Sequence, residues 1–306
     1  MQSEPQCVPC VIKQSERIVN ALFANNNHQG STAKEEVLSE IRNQALAIAS
    51  RLTLQDPPSK FTSQVLAKVY ELLQLDDPYQ LAKKKQNELG KSIYNHLVKE
   101  LNRTLDPIYL AIKYAACGNV IDVGPAEIYS VYNPSSSVFD DIKAMAEKPL
   151  AIDDYEIFKE RFKSAEKILY ILDNSGEIFL DKLLIERLKG PQITIAVKAL
   201  PILNDALRQD ALYAGLDSLG PIINVNRQEN NCRHLGVDFN CTSKEFDTAF
   251  ESADIVIAKG HANFESLVDC ERDCFFILMA KCPVVANKLK VNIKDRVFYY
   301  SPIKGE

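Results

Sequence analysis

The rhythm of apolar and polar positions changes partway along the chain. Val37, Ile41, Ala45, Ile48 and Leu52 recur every three to four residues, one stripe of an amphipathic helix. Thr32 and Glu35 stand at capping-box spacing in front of it. Phe61, Val65, Val69 and Leu72 repeat the helical period, and Ile93, Leu97 and Leu101 repeat it again. Asp56-Pro57-Pro58 and Asp76-Asp77-Pro78 break the chain between these stripes. No strand pattern interrupts them, so residues 1–114 are expected to form an all-helical N-terminal domain.

Beyond this point short β-rich runs alternate with helical segments. The runs are Lys167–Leu172, Ile193–Lys198, Ile222–Asn226, Asp254–Lys259 and Val297–Tyr300, with either Phe275–Met279 or Val284–Val285 as a further one. Helices are expected after Asp173, Asn204 and Asn263. Leu180, Leu184 and Leu188 mark the apolar side of the first. The β-α-β-α order predicts an α/β fold with a largely parallel sheet flanked by helices. The runs are almost continuously apolar, as strands covered on both faces should be. This α/β domain is assigned to residues 115–306, with a soft boundary anywhere from Leu105 to Ala151. The segment AACGNVIDVG, Ala115 to Gly124, falls in that zone.

Composition narrows the classes. A chain of 306 residues is long enough for two domains, and its net charge of −5 argues against nucleic-acid binding. The one cationic cluster, Lys83-Lys84-Lys85, reads as a solvated helix face. No apolar run is long enough to span a bilayer, and MQSEPQCVPC lacks the charged and apolar regions of a secretory signal, so a cytoplasmic protein is expected. The eight Cys are then expected to be reduced. Cys274 and Cys282 read as buried small hydrophobes. Cys7-x-x-Cys10 has metal or redox spacing, but a structural zinc needs two more ligands, and Cys232, His234 and Cys241 could contribute only if the fold brings them to the N-terminus. Packing or free thiols are favoured for the pair.

Candidate chemistry clusters where the strands stop. Asp173-Asn174-Ser175-Gly176-Glu177 follow the first run, Lys198, Asn204 and Asp205 the second, and Lys259-Gly260-His261 with Asn263 another. Ligands of open parallel sheets bind beyond the carboxyl ends of the strands. Each string also satisfies the requirements of a turn and a helix N-cap. That simpler reading weakens because the pattern recurs after separate strands and because lysines accompany the acids. No Walker A or G-x-G-x-x-G string is present.

The residue types suit a hard divalent cation. Asp173 and Asp205 supply two charges and Asn174 a neutral oxygen, leaving places for water and a phosphate oxygen. Ser175 and Gly176, expected to open a helix, would offer N–H groups to an anion. Lys259 would neutralise phosphoryl charge. Glu177 would orient water or a hydroxyl. His261 is read as a structural or hydrogen-bonding residue before a proton donor.

These strings together resemble the metal-dependent damage-control phosphatases, the family long known as domain of unknown function 89. The resemblance spans essentially the whole chain: CVPC at Cys7–Cys10, DPYQLAKKKQNELG at Asp77–Gly90, GNVIDVG at Gly118–Gly124, DNSGE at Asp173–Glu177, LNDA at Leu203–Ala206, AKGHANFESL at Ala258–Leu267 and AKCPVVANKL at Ala280–Leu289. It is nearest the archaeal and bacterial branch with the N-terminal Cys pair. The resemblance implies a helical domain joined to a Rossmann-like one. It implies metal ligands Asp173, Asn174 and Asp205, an acid at Glu177 and a phosphate-side cation at Lys259. Asn119 and Asp122 match the family pattern and are expected either to face the crevice or to cap a turn, with Asn204, His261 and Asn263 on the substrate side. The family hydrolyses small phosphomonoesters, sugar phosphates or damaged phosphometabolites, with manganese, cobalt, nickel or magnesium. His261 departs from the family's usual amide residue, which puts substrate preference rather than metal binding in question. A non-catalytic binding module with a degenerate site is the alternative, and a carboxyl methyltransferase ranks below it for want of a Gly-rich first βα turn. The expected partner is a small phosphorylated molecule, with no nucleic acid and no membrane; the oligomeric state is not legible.

Overall fold

The chain is described by a computed structural model at residues 1–25, 31–51, 53, 55–118, 137–229 and 232–303. Helix α1 (Cys7–Asn25) precedes the stripes, and α2 (Ser31–Ala49) and α3 (Pro58–Leu73) follow the first two. The stripe residues Ile41, Ala45, Phe61, Val65 and Val69 are buried against one another and against Val19 of α1. Helix α2 starts at Ser31, so Thr32 lies within its first turn rather than capping it; Leu52 lies outside the described residues. Helices α4 (Gln80–Leu101) and α5 (Pro107–Ala115) come next. Pro107 sits at the first turn of α5, and the Asp106 carboxylate caps it by accepting from Tyr109 N at 3.0 Å. Helix α6 (Ser137–Glu147) precedes the sheet.

The remaining elements alternate: β1 (Ile152–Asp153), α7 (Tyr155–Phe162), β2 (Lys167–Ile171), α8 (Ile178–Ile185), β3 (Gln192–Val197), α9 (Arg208–Tyr213), β4 (Ile222–Asn224), α10 (Lys244–Ser252), β5 (Ile255–Lys259), α11 (His261–Leu267), β6 (Cys274–Met279), α12 (Pro283–Leu289) and β7 (Arg296–Ser301). The sheet order is β1-β7-β6-β5-β2-β3-β4, parallel except for β6 against β7. Val284 and Val285 lie in α12 behind the helix-starting Pro283, so the strand is Cys274–Met279.

Pleating sends successive side chains to opposite faces. Ile168, Tyr170, Ile255 and Ile257 join the core shared with α4, α5 and α8, while Leu169, Ile171, Val256 and Ala258 join the core beneath α10, α11 and α12. A third core unites α1, α2 and α3 with Tyr79 and Ala82, and it reaches Ile202 and Leu235 of the α/β part. Helix α4 therefore serves two cores. Lys83, read from the sequence as solvated, is almost fully buried on α4 with its ammonium 2.5 Å from Asp77. Only Lys84 and Lys85 face outward. The chain order reverses at β2: β3 and β4 lie to one side, β5 and β6 to the other. That reversal opens a crevice at the carboxyl ends of β2 and its neighbours.

Candidate active site

Two loops meet in the crevice. After β2 the chain runs through Asp173 and Asn174; after β3 it turns back on itself, Lys198 N donating to Ala206 O at 3.0 Å. The returning segment pairs with the first loop. Ser175 N donates to Asn204 O and Ala206 N to Asp173 O, both at 2.8 Å, and Asn174 and Asp205 form an antiparallel bridge. The turn needs Leu203 at φ +46°, a left-handed conformation costly for a side-chain-bearing residue, and Tyr70 Oη accepts from its N–H at 2.7 Å. Asp173, Asn174 and Asp205 thus stand side by side, each less than a tenth exposed. They line one cavity of about 550 Å³ with Asn204, His261, Cys7, Cys10 and Cys282.

The donor set tests well against a hard divalent ion. Its members are two carboxylates and a carboxamide, all oxygen donors on hydrogen-bonded neighbouring loops. Asn174 Nδ2 donates to Asp173 Oδ2 at 3.0 Å and Glu177 Oε2 at 3.3 Å, which fixes the amide plane. Space is reserved around Asp173. Gly260, at φ +83°, is the residue before α11, and a Cβ there would fall 1.8 Å from Asp173 Oδ2. Among the described residues no three His, Cys, Asp or Glu side chains come together in a metal-holding group. The candidate set reaches three ligands only by counting Asn174, and the Cys7–Cys10 pair has no zinc-type partners among those residues.

Lys198 and Lys259 occupy different places. Lys198 is buried with its ammonium 3.9 Å from Asp205 Oδ2, and it donates to Gly236 O. Burial pulls its pKa down, while Asp205 and Asp173 oppose that pull. Lys259, expected on the phosphate side, lies behind the crevice and does not line the cavity. It is fully buried, 2.7 Å from Glu177 Oε1, 3.0 Å from Asp181 Oδ1 and 3.0 Å from Ala115 O. Burial lowers its pKa, but the carboxylates of Asp181 and Glu177 outweigh that and raise it overall. The reason for the displacement is charge: two carboxylates buried on the helix side demand a cation. Asp181, whose carboxyl burial pushes up, also accepts from Tyr170 Oη at 2.9 Å.

Other expectations shift as well. Ser175 and Gly176 form a turn before α8 rather than its first residues, and their N–H groups are already committed, to Asn204 O and to Asn87 Oδ1 at 2.7 Å. They are not donors for an anion in this arrangement. Asn263 is buried and donates to Leu172 O at 3.1 Å and Lys259 O at 2.8 Å, tying the ends of β2 and β5 together. Asn204 faces the cavity and donates to Gln86 Oε1 at 3.3 Å. His261 also lines it, with Nε2 3.8 Å from Cys282 Sγ. Burial, helped by Lys281, holds its pKa down at about 3, so the imidazole is neutral. Cys282 is half-buried, lining the cavity while packing against the edge of the core beneath α12. Asn119 and Asp122 lie outside the described residues. Gly118, just before them, abuts the Glu177 side chain.

Several contributors carry no sequence signal of their own. Arg17 and Lys281 bring exposed cations to the cavity lining. Gln86 and Asn87 are polar residues on the buried side of α4, and only that break in the apolar stripe marks them.

Two carboxylates and an amide thus stand at the carboxyl ends of a mostly parallel α/β sheet, beneath a cavity with cations at its lining. The chain belongs to the damage-control phosphatase ARMT1-like family, whose domain matches residues 3–297. It is 34% identical over 300 residues to a damage-control phosphatase of Pyrococcus horikoshii, with 95% of each chain covered. It is 30% identical over 270 residues to a damage-control phosphatase of Archaeoglobus fulgidus, covering 87% of this chain and 91% of the relative. A crystal structure of a DUF89 family protein from Pyrococcus horikoshii superposes with a TM-score of 0.84 at 32% identity, covering 98% of this chain and 99% of the other.

Proposed function

We propose that this chain is a divalent-metal-dependent phosphatase of small phosphomonoesters, with sugar phosphates and damaged phosphometabolites as its substrate class. One observation carries the reading: the Asn174–Asp205 bridge holds Asp173, Asn174 and Asp205 together at the floor of one cavity. Family membership and the two relatives named as damage-control phosphatases support it.

Asp173, Asn174 and Asp205 would hold the ion; all-oxygen donors suit magnesium or manganese, and cobalt or nickel can substitute. When bound, such an ion polarises a phosphoryl group and activates water. The chain's own groups do the rest. Arg17 and Lys281 draw a dianionic phosphoester into the cavity. Lys198 offsets the negative charge of Asp205, so the acidic pair is stable before any cation arrives. Glu177, anchored by Lys259, accepts from Asn174 Nδ2 and keeps the carboxamide in place.

The test starts from metal-free protein. Manganese, cobalt, nickel or magnesium is added back, and phosphate release is followed from an aryl phosphate and a sugar-phosphate panel. Asp173→Ala and Asp205→Ala are each expected to abolish release while circular dichroism stays native. Full activity in both variants, or undiminished wild-type activity after chelation, overturns the proposal.

A further inference from the structure

Helix α4 belongs by sequence to the helical half, yet one of its side chains bonds the first ligand loop and the helix turn that closes the second. Asn87 Oδ1 accepts from Gly176 N at 2.7 Å, in the loop carrying Asp173 and Asn174. Asn87 Nδ2 donates to Asp210 Oδ1 at 2.7 Å, in the first turn of α9. Asp210 Oδ2 in turn accepts from Leu207 N at 2.9 Å, closing the loop that carries Asp205. The orientation of the amide follows from its partners, since a backbone N–H can only donate and a carboxylate can only accept. All of these groups are buried.

The neighbouring contacts make the fit tight. A Cβ on Gly176 would come within 2.6 Å of Gln86 O, and one on Gly90 within 2.3 Å of Gly176 O, so α4 is pressed directly onto the turn. Gln86 adds the bond to Asn204 from the same helix turn. The backbone bonds between the loops fix their pairing. Asn87 ties the far ends of both loops together, because its carboxamide bonds one at Gly176 and reaches the other at Leu207 through Asp210.

We propose that Asn87 is a positioning residue that sets the spacing between the Asp173–Asn174 loop and the Asp205 loop, and hence the affinity of the site for its cation. The inference rests on the metal-site reading above. It assigns Asn87 and Asp210 a part in that site, although neither touches the cation.

Asn87→Asp keeps the acceptor for Gly176 N but removes the donor, and places a second carboxylate against Asp210. Asp210→Asn keeps the acceptor for Leu207 N but sets two NH₂ groups against each other. Combining them restores a donor–acceptor pair with its polarity reversed: the carboxylate at 87 accepts from both Gly176 N and the amide at 210. Manganese binding to metal-free protein is measured by calorimetry, and melting is measured without metal. Each single variant is expected to bind manganese roughly 10–100-fold more weakly, the range for partners that orient metal ligands. The double variant is expected to regain most of that loss.

A single variant that melts earlier but binds manganese like wild type overturns the proposal. So does a double variant no better than the weaker single. If one single variant does not fold, the other and the swap decide the matter in the same way. Wild type that takes up no manganese strikes the site reading itself. Loss in Asp173→Ala with none in Asn87→Asp strikes this inference alone.

Discussion

Replacing Gly260 by Ala separates two costs that a structural glycine and a site glycine would not share. The backbone at Gly260 has φ +83° and ψ 176°, a region open essentially to glycine alone. Holding a side-chain-bearing residue there costs about 1–3 kcal/mol. The new Cβ would also sit 1.8 Å from Asp173 Oδ2 and 2.1 Å from its Cγ. The carboxylate must retreat by roughly 1.6 Å to reach ordinary van der Waals distance. A misplacement of about 1 Å at a reacting centre costs on the order of 100-fold in rate. Gly260→Ala is therefore expected to melt a few degrees early, to lose on the order of 100-fold in phosphate release, and to bind manganese weakly. Gly190 supplies the control, with φ +118° and open space around it. Gly190→Ala carries backbone strain without crowding any ligand, so it should lose stability and keep both activity and manganese affinity. The two variants are compared by melting, manganese calorimetry and phosphate release. Gly260→Ala with wild-type manganese affinity, or two variants alike in activity, refutes the reasoning.

Two further outcomes follow from buried charge. Lys259→Met leaves Glu177 and Asp181 buried without a cation and should cost roughly 3–5 kcal/mol in guanidinium unfolding; an unchanged midpoint with slow turnover would instead place Lys259 against substrate. Glu265 lines the cavity half-buried, and burial pushes its carboxyl up to about 7. A raised acid contributes stability that is complete below the ordinary carboxylate range and is lost as pH rises through about 7. Glu265→Gln should thus melt above wild type at pH 8 and lose that advantage toward about pH 5. Equal gains at both pH values would rule out ionisation of Glu265 as the cause.

The parts of the fold and site that were legible in the sequence share one property: a local string decides them. Ile168–Ile171 and Ile255–Ala258 read as strands because both faces are covered, and both are central strands. Asp173, Asn174 and Asp205 could be grouped because all follow neighbouring strands at the same end. What escaped depends on contacts between distant residues. A Lys after a strand reads the same whether it faces a cavity or a buried acid, so the side taken by Lys259 was set by Asp181 on α8. Ser175 and Gly176 look like free amide donors until Asn204 and Asn87 are seen to use them. Lys83 reads as solvated until its ion pair with the partly exposed Asp77 is seen. Strand β1 has only two residues, too few for any period to register, and β7 gives no sign in its own residues that it runs against β6.

The same distinction bears on whether residues 115–306 could fold alone. Their helix α8 presents Ile178, Phe179 and Leu183 to a core completed by Ile93, Leu97, Leu101, Ala111 and Ile112 from α4 and α5. Each large aliphatic side chain buried there contributes about 1.5–3 kcal/mol. Four of them together supply roughly 10 kcal/mol, which matches the whole stability of an ordinary domain. A fragment spanning 115–306 should therefore show no cooperative unfolding transition by circular dichroism and should bind no manganese, having lost Asn87 along with the apolar cover. One beginning at residue 76 keeps α4 and α5 and should unfold cooperatively. Cooperative unfolding of the shorter fragment would mean that α4 and α5 only decorate the sheet, and that the core they share with α8 contributes far less than its burial implies.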